Sequence, residues 1–191
     1  MKLFGPALFL FFVLSGIQLH AQSTDLVDKV LTQLKLQRKD CDENLISVKK
    51  LPDSPNESIV VIPRLVVSEP DYFSLDSYIL IVDSQTGKIR QKFYESQETN
   101  GWQSDAITLT SIWIDTAPYF VKEGTRAFGI RVAFTGSSSV NPYNYEMLSL
   151  FVREEEKLNR ILKNYTTSEL HGEWDGNCNG EFEKSNKLLL I

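Results

Sequence analysis

A turn near the C-terminus, rich in Asp, Asn and Gly, has side chains that could bind a metal ion. Asp175, Asn177 and Asn179 stand at positions i, i+2 and i+4, and Gly180 follows them. Oxygen-bearing side chains at alternating positions can converge on one hard cation, as in the first half of a calcium loop. The twelfth position is Asn186, where that loop pattern has a glutamate. Asp175, Asn177 and Asn179 are therefore candidate Ca²⁺ ligands, and the alternative is a simple hairpin turn.

The same region holds a histidine close to two carboxylates. In an extended strand His171, Glu173 and Asp175 would share one face, because side chains alternate between faces. Such a cluster could hold a metal or perform acid–base chemistry, which would suit a hydrolase. The sequence has no G-x-S-x-G, H-E-x-x-H or G-x-G-x-x-G motif. We therefore favour a non-catalytic binding or structural module, with a hydrolase or Ca²⁺-binding protein that uses residues 171–179 as the alternative.

Two cysteines, Cys41 and Cys178, lie in the part of the chain that follows the predicted signal peptide. An even number of cysteines in an oxidising compartment favours a disulfide. A Cys41–Cys178 bond would tie the two ends of the domain together, and loop-closure entropy would contribute about 4–5 kcal/mol. The alternative is two separate thiols.

The first 21 residues have the layout of a secretory signal peptide. Lys2 supplies a positive charge, residues 3–14 form an apolar run, and small residues precede a cleavage site after Ala21. The apolar run is shorter than the roughly 20 residues that a membrane-spanning helix needs. We therefore predict a periplasmic or secreted protein whose residues 22–191 form a single β-rich globular domain.

The net charge of the chain is −5. An acidic chain is poorly matched to nucleic acids and to anionic membrane surfaces. The sequence thus predicts no nucleic-acid binding, and no membrane span once the signal peptide is removed. It identifies no ligand, and a protein partner stays open.

The clearest strand pattern lies in residues 125–134, where large apolar side chains recur at every second position. Alternate side chains lie on opposite faces of a strand, so one face should point into a core. The other face has small residues and Arg131, for which we expect a carboxylate partner or solvent rather than an anionic ligand. The apolar face consists of Phe128, Ile130, Val132 and Phe134, and the other face of Ala127, Gly129, Arg131 and Ala133.

Other segments support a mostly β fold. Residues 23–38 have helical apolar spacing, whereas residues 83–87 are typical of a hairpin turn. A change of apolar parity predicts a bulge near Ser111, and residues 115–118 should end that strand. Residues 153–165 fit a hairpin better than a helix. The sequence predicts an antiparallel β-sandwich or open barrel with one N-terminal amphipathic helix.

Overall fold

A computed structural model describes residues 23–155 and 157–189. The predicted signal peptide, residues 1–21, lies outside the described residues. In the described part of the chain, none of the helices has the length and apolar character that crossing a membrane would require.

Two open antiparallel sheets make up the described fold, and each has five strands. Sheet A has the order β1-β2-β3-β4, and β5 also pairs with β3. Sheet B has the order β10-β9-β8-β7-β6. The strands are β1 Ser47–Leu51, β2 Ser54–Glu69, β3 Tyr72–Asp83, β4 Ile89–Glu95, β5 Gln103–Ser104, β6 Ile107–Lys122, β7 Thr125–Gly136, β8 Tyr143–Glu154, β9 Lys157–Trp174 and β10 Gly180–Asn186. Helix α1 covers residues 23–34, and the short helix α2 is Gln97–Asn100. The mostly β prediction is confirmed, and two separate open sheets are consistent with the sandwich of the two predicted alternatives, sandwich or open barrel.

The main core lies between the two sheets. The predicted apolar face of β7 is buried there, because its side chains point towards the buried side chains of sheet A. Trp102 also lies in this core, although the residues on either side of it are mostly polar. The β7 residues in the core are Phe128, Ile130, Val132 and Phe134.

Helix α1 covers the outer face of sheet A and forms a second core. Strands β2 and β3 are apolar on both faces because the helix buries the second face. The helix ends at residue 34, earlier than predicted, because Lys35 adopts a left-handed conformation with φ of 58°. Its buried side chains are Leu26, Val27, Val30 and Leu31, against Val60, Ile62, Leu80 and Val82.

The outer face of sheet B carries a smaller apolar cluster. Leu148 and Leu150 are buried in it, and Leu189 from the C-terminal segment packs against them. The segment is held beside β9, because Lys187 N donates to Thr167 O at 2.8 Å. Leu188, by contrast, is 90% exposed.

The details of strand pairing confirm two predictions and correct a third. Strand β9 returns beside β8 from Glu154↔Lys157, so residues 153–165 form a hairpin. The β6–β7 register shifts between Leu109 and Ser111, which confirms the bulge. Strand β6 does not end at residues 115–118, because a second register shift there lets the strand continue to Lys122.

The predicted Cys41–Cys178 disulfide is absent. Both cysteines are free thiols: Cys41 is buried and Cys178 is exposed. They lie in different layers, because Cys41 packs in the core beneath α1, whereas Cys178 lies in the turn between β9 and β10. Burial raises the pKa of the Cys41 thiol to about 11. An even cysteine count predicts that a bond is possible, but it does not place the two sulfur atoms near each other.

Candidate binding site

Strands β9 and β10 form a hairpin at the edge of sheet B. They pair from Ser168↔Asn186 to Trp174↔Gly180, and residues 175–179 connect them. Strand β10 is the last strand of the sheet, and six of its seven residues are exposed. One long side of β10 therefore offers backbone N–H and C=O groups that no other described strand pairs with.

The loop before β8 extends the hairpin on its other side. Trp174 N donates to Val140 O at 2.8 Å, and Gly172 N donates to Pro142 O at 3.1 Å. A groove of about 1020 Å³ runs along this part of the molecule. It is lined by Val140, Asn141, residues 171–175 and residues 179–183.

The two strands carry the same residue triplet, Gly-Glu-aromatic, at residues 172–174 and 180–182. The register places each aromatic residue opposite a glycine and the two glutamates opposite each other. Side chains alternate between faces, so the hairpin has an aromatic face and an acidic face. The aromatic face consists of Gly172, Trp174, Gly180 and Phe182, and the acidic face of His171, Glu173, Glu181 and Glu183.

On the aromatic face, both rings lie close to the backbone because the facing residues are glycines. A Cβ added at Gly172 would lie 2.4 Å from Phe182 Cδ1, and one added at Gly180 would lie 3.2 Å from Trp174 Cδ1. Both rings are nevertheless open to solvent, since Trp174 is 38% exposed and Phe182 is 59% exposed. Large exposed aromatic side chains side by side are typical of a contact surface.

The acidic face concentrates negative charge. Five acidic residues and no lysine or arginine lie between positions 169 and 183. Glu173 and Glu181 stand directly opposite each other, an arrangement of like charges that destabilises a strand pair. Glu183 contacts His171, with 3.3 Å between Oε2 and Nε2. A cation placed beside Glu173 and Glu181 would relieve their repulsion.

The candidate calcium ligands are brought into one turn, but not into the loop that the sequence pattern suggested. Asp175 Oδ1 accepts hydrogen bonds from Asn177 N at 2.8 Å and from Asn179 N at 3.2 Å. These two bonds lower the pKa of Asp175. Gly180 lies in β10 rather than at a sharp turn, and Asn186 lies about 20 Å further along that strand. Calcium binding by Asp175, Asn177 and Asn179 stays a prediction.

The candidate acid–base cluster is only partly assembled. His171 and Glu173 share the acidic face of β9, whereas Asp175 lies beyond the end of that strand. In residues 23–155 and 157–189, no group of three or more His, Cys, Asp or Glu side chains could hold a metal ion. The hydrolase alternative stays a prediction.

Arg131 lies in a polar cluster on the outer face of sheet B. Its Nε donates to Asp115 Oδ2 at 2.6 Å, its Nη1 donates to Glu146, and its Nη2 donates to Tyr119 Oη at 3.2 Å. Burial alone would raise the pKa of Asp115, but hydrogen bonds from Ala117 N and Arg131 lower it. The expected carboxylate partner is confirmed. Because these groups satisfy one another, we interpret the cluster as structural.

Comparisons with protein-family models, with curated proteins and with solved structures each gave no match.

Sequence reasoning located the hairpin region but missed its aromatic face. The sequence signal for this face is the repeated Gly-Glu-aromatic triplet. The triplets form an aromatic face only when the two strands pair antiparallel with each ring opposite a glycine. The register, which decides that rings face glycines, depends on the turn at residues 175–179.

Proposed function

We propose that this chain is an exported, non-catalytic binding module that captures a basic, extended polypeptide segment at the free edge of β10. The observation that carries the proposal is the combination of an unpaired edge strand with an acidic face and an exposed ring on its opposite face. Addition of a strand to an exposed sheet edge is a common mode of peptide recognition.

The carboxylates on the acidic face of β10 favour a positively charged peptide. A strand added beside β10 would place alternate side chains next to Glu181 and Glu183 on the acidic face. Carboxylates only accept hydrogen bonds, so they favour arginine or lysine and oppose acidic or neutral hydrogen-bond acceptors. Arginine suits the position best, because its planar guanidinium can bind a carboxylate with two hydrogen bonds.

The aromatic face of β10 determines which residues the peptide should have between its basic residues. The remaining side chains of an added strand would lie next to Phe182, whose ring is 59% exposed, and next to the aliphatic part of the exposed Lys184. Apolar side chains there would remove this ring from water, which contributes about 25 cal/mol per Å² of apolar area buried. The preferred segment therefore alternates basic and apolar residues.

The acidic face also explains why the edge would not pair with a second copy of itself. Two β10 strands side by side would bring their glutamates together, and charged residues on edge strands are a general protection against such association. The same glutamates thus disfavour self-association and favour a basic partner.

The test is isothermal titration calorimetry with the peptide Arg-Val-Arg-Val-Arg-Val-Arg. We expect binding that weakens as salt is added, because exposed charges are screened. The same peptide with citrulline in place of arginine keeps the shape but loses the charge, so it should not bind. A version N-methylated at every residue keeps the charge but has no N–H on either edge to pair as a strand, and it should also fail.

Substitutions in the hairpin then test whether the peptide binds at β10. Glu181→Lys with Glu183→Lys should abolish binding, and Phe182→Ala should weaken it. Matched controls are the double variant Glu69→Lys with Glu123→Lys, which makes the same change of net charge, and Phe120→Ala; all three residues are exposed and lie outside the hairpin. Equal binding by the arginine and citrulline peptides, or by wild type and the Glu181→Lys/Glu183→Lys variant, would overturn the proposal.

A further inference from the structure

A second concave site lies far from the hairpin, where the space between the two sheets opens at one end. The cleft has a volume of about 450 Å³, which is within the usual range for small-molecule sites. The β1–β2 turn borders it on one side and the β6–β7 turn on the other. Its floor is apolar, because Ile81 and Phe128 of the main core line it.

Two arginines line this apolar cleft. Arg126 donates from Nη1 to Asp53 Oδ1 at 3.1 Å and from Nη2 to Thr116 O at 2.6 Å. Its guanidinium carbon lies 5.9 Å from the centre of the Phe120 ring. Arg153 is held by two hydrogen bonds to Glu57, at 2.6 and 2.9 Å. Glu57 neutralises Arg153, and Arg126 is the arginine of this cleft whose carboxylate partner, Asp53, is mostly exposed.

Another carboxylate could readily replace Asp53 as the partner of Arg126. The Asp53 side chain is 65% exposed, whereas that of Arg126 is only 21% exposed. An ion pair with an exposed partner contributes little stability, because water competes for the carboxylate. A carboxylate that arrived with an apolar group attached would bind the same guanidinium and also fill the cleft.

We propose that this cleft binds an amphipathic carboxylate, with its alkyl chain between the sheets and its carboxylate on Arg126 in place of Asp53. Thr116 O and the Phe120 ring hold the guanidinium at the mouth, so the head group is bound by a pre-positioned cation. Arg153 lines the same cleft as a neutral ion pair with Glu57, so Arg126 is the cation that the head group would meet.

The test is calorimetric titration of the whole protein with dodecanoate, kept below its critical micelle concentration, and with dodecanol. Dodecanoate should bind, and dodecanol should bind at least tenfold more weakly, because it lacks the charge-assisted hydrogen bonds to Arg126. Equal affinity for the acid and the alcohol, or no binding of dodecanoate, would overturn the proposal.

Three variants test the assignment of the residues. Arg126→Gln should lose at least tenfold in dodecanoate affinity, whereas Arg38→Gln, whose partners Asp28 and Glu43 are more than half exposed and do not line the cleft, should not change it. Asp53→Asn should strengthen binding, because it removes the competing carboxylate. A purely structural Arg126–Asp53 pair would give no such gain. Unchanged affinity in Arg126→Gln would refute the site, and circular dichroism of each variant checks its folding.

Discussion

Gly87, in the turn between β3 and β4, lies directly against Lys29 of helix α1. A Cβ added at Gly87 would be 2.6 Å from Lys29 Cβ, closer than two non-bonded carbon atoms can approach. The helix is also hydrogen-bonded to the turn, because Gln33 Nε2 donates to Gly87 O at 2.7 Å and Ile89 N donates to Gln33 Oε1 at 3.1 Å. The hairpin turn therefore positions the helix on sheet A.

Gly87→Ala should destabilise the protein by more than its backbone conformation alone explains. Gly87 and Gly124 both have φ of 71°, where any other residue is strained. Gly124→Ala, with no atom within 4 Å of the added Cβ, reports this strain, which costs about 1 kcal/mol. Gly87→Ala should lose about 1–3 kcal/mol more, because the added methyl group overpacks the helix contact. Urea unfolding measures both, and equal losses would contradict the contact.

Glu95 should make the stability of the protein sensitive to acid. Its Oε1 accepts hydrogen bonds from Arg160 Nη2 at 3.0 Å and from Lys163 Nζ at 2.9 Å, which links β4 to β9. Burial alone would raise the pKa of Glu95, but the two cations outweigh it and lower the pKa from 4.5 to about 2. A carboxyl group with a lowered folded-state pKa stabilises the protein above its unfolded-state pKa, and that stability is lost as the pH falls towards 2.

The loss attributable to Glu95 should be about 2–3 kcal/mol between pH 6 and pH 2. Glu95→Gln should flatten this part of the pH profile of the free energy of unfolding, whereas Glu123→Gln, at an exposed turn, should not. Urea titrations at a series of pH values test this. An unchanged slope in Glu95→Gln would show that the ion pairs contribute no pH-dependent stability.

The two thiols should differ sharply in reactivity. Cys178 is exposed and should react with Ellman's reagent in the native protein. Cys41 is buried and its pKa is raised to about 11, so it should react only after unfolding, since the thiolate is the nucleophile. The measurement is the number of thiols titrated before and after addition of guanidinium chloride. If no thiol reacted under either condition, the result would contradict two free thiols and support a Cys41–Cys178 disulfide.

Removing Arg131 should strongly destabilise sheet B. Arg131→Met would leave Asp115 and Glu146, both mostly buried, without their shared cation. Leaving a buried charge unpaired costs about 3–5 kcal/mol, and the partial exposure of this cluster reduces the expected loss to about 2–3 kcal/mol. Arg38→Met, whose two carboxylate partners Asp28 and Glu43 are each more than half exposed, should change stability by less than about 1 kcal/mol. Thermal unfolding that shifts equally in both variants would contradict the assigned role.

The strands were predictable because apolar parity is a local property of the sequence. The core face of β7, the bulge near Ser111 and the hairpin at residues 153–165 all follow from side-chain alternation and its interruptions. The early end of α1 was not predictable, because Lys35 is a good helix former whose left-handed conformation is set by the tertiary fold.

The candidate site was predictable in part. Residues 171–179 stood out for their carboxylates and asparagines, and the structure places them on one hairpin. Neither the pairing of Phe182 with Gly172 nor that of Glu173 with Glu181 could be read from the chain, because both depend on strand register. The cleft beside Arg126 was equally hidden, since its walls come from turns that are far apart in sequence.

Amide hydrogen exchange of β10, with and without the peptide Arg-Val-Arg-Val-Arg-Val-Arg, tests most directly whether the hairpin binds by strand addition. The peptide should slow exchange at outward-facing backbone amides within residues 180–186, because their N–H groups would gain acceptors, while the citrulline peptide should leave the rates unchanged. Peptide binding that leaves the exchange rates of β10 unaltered would contradict the proposed mode of recognition.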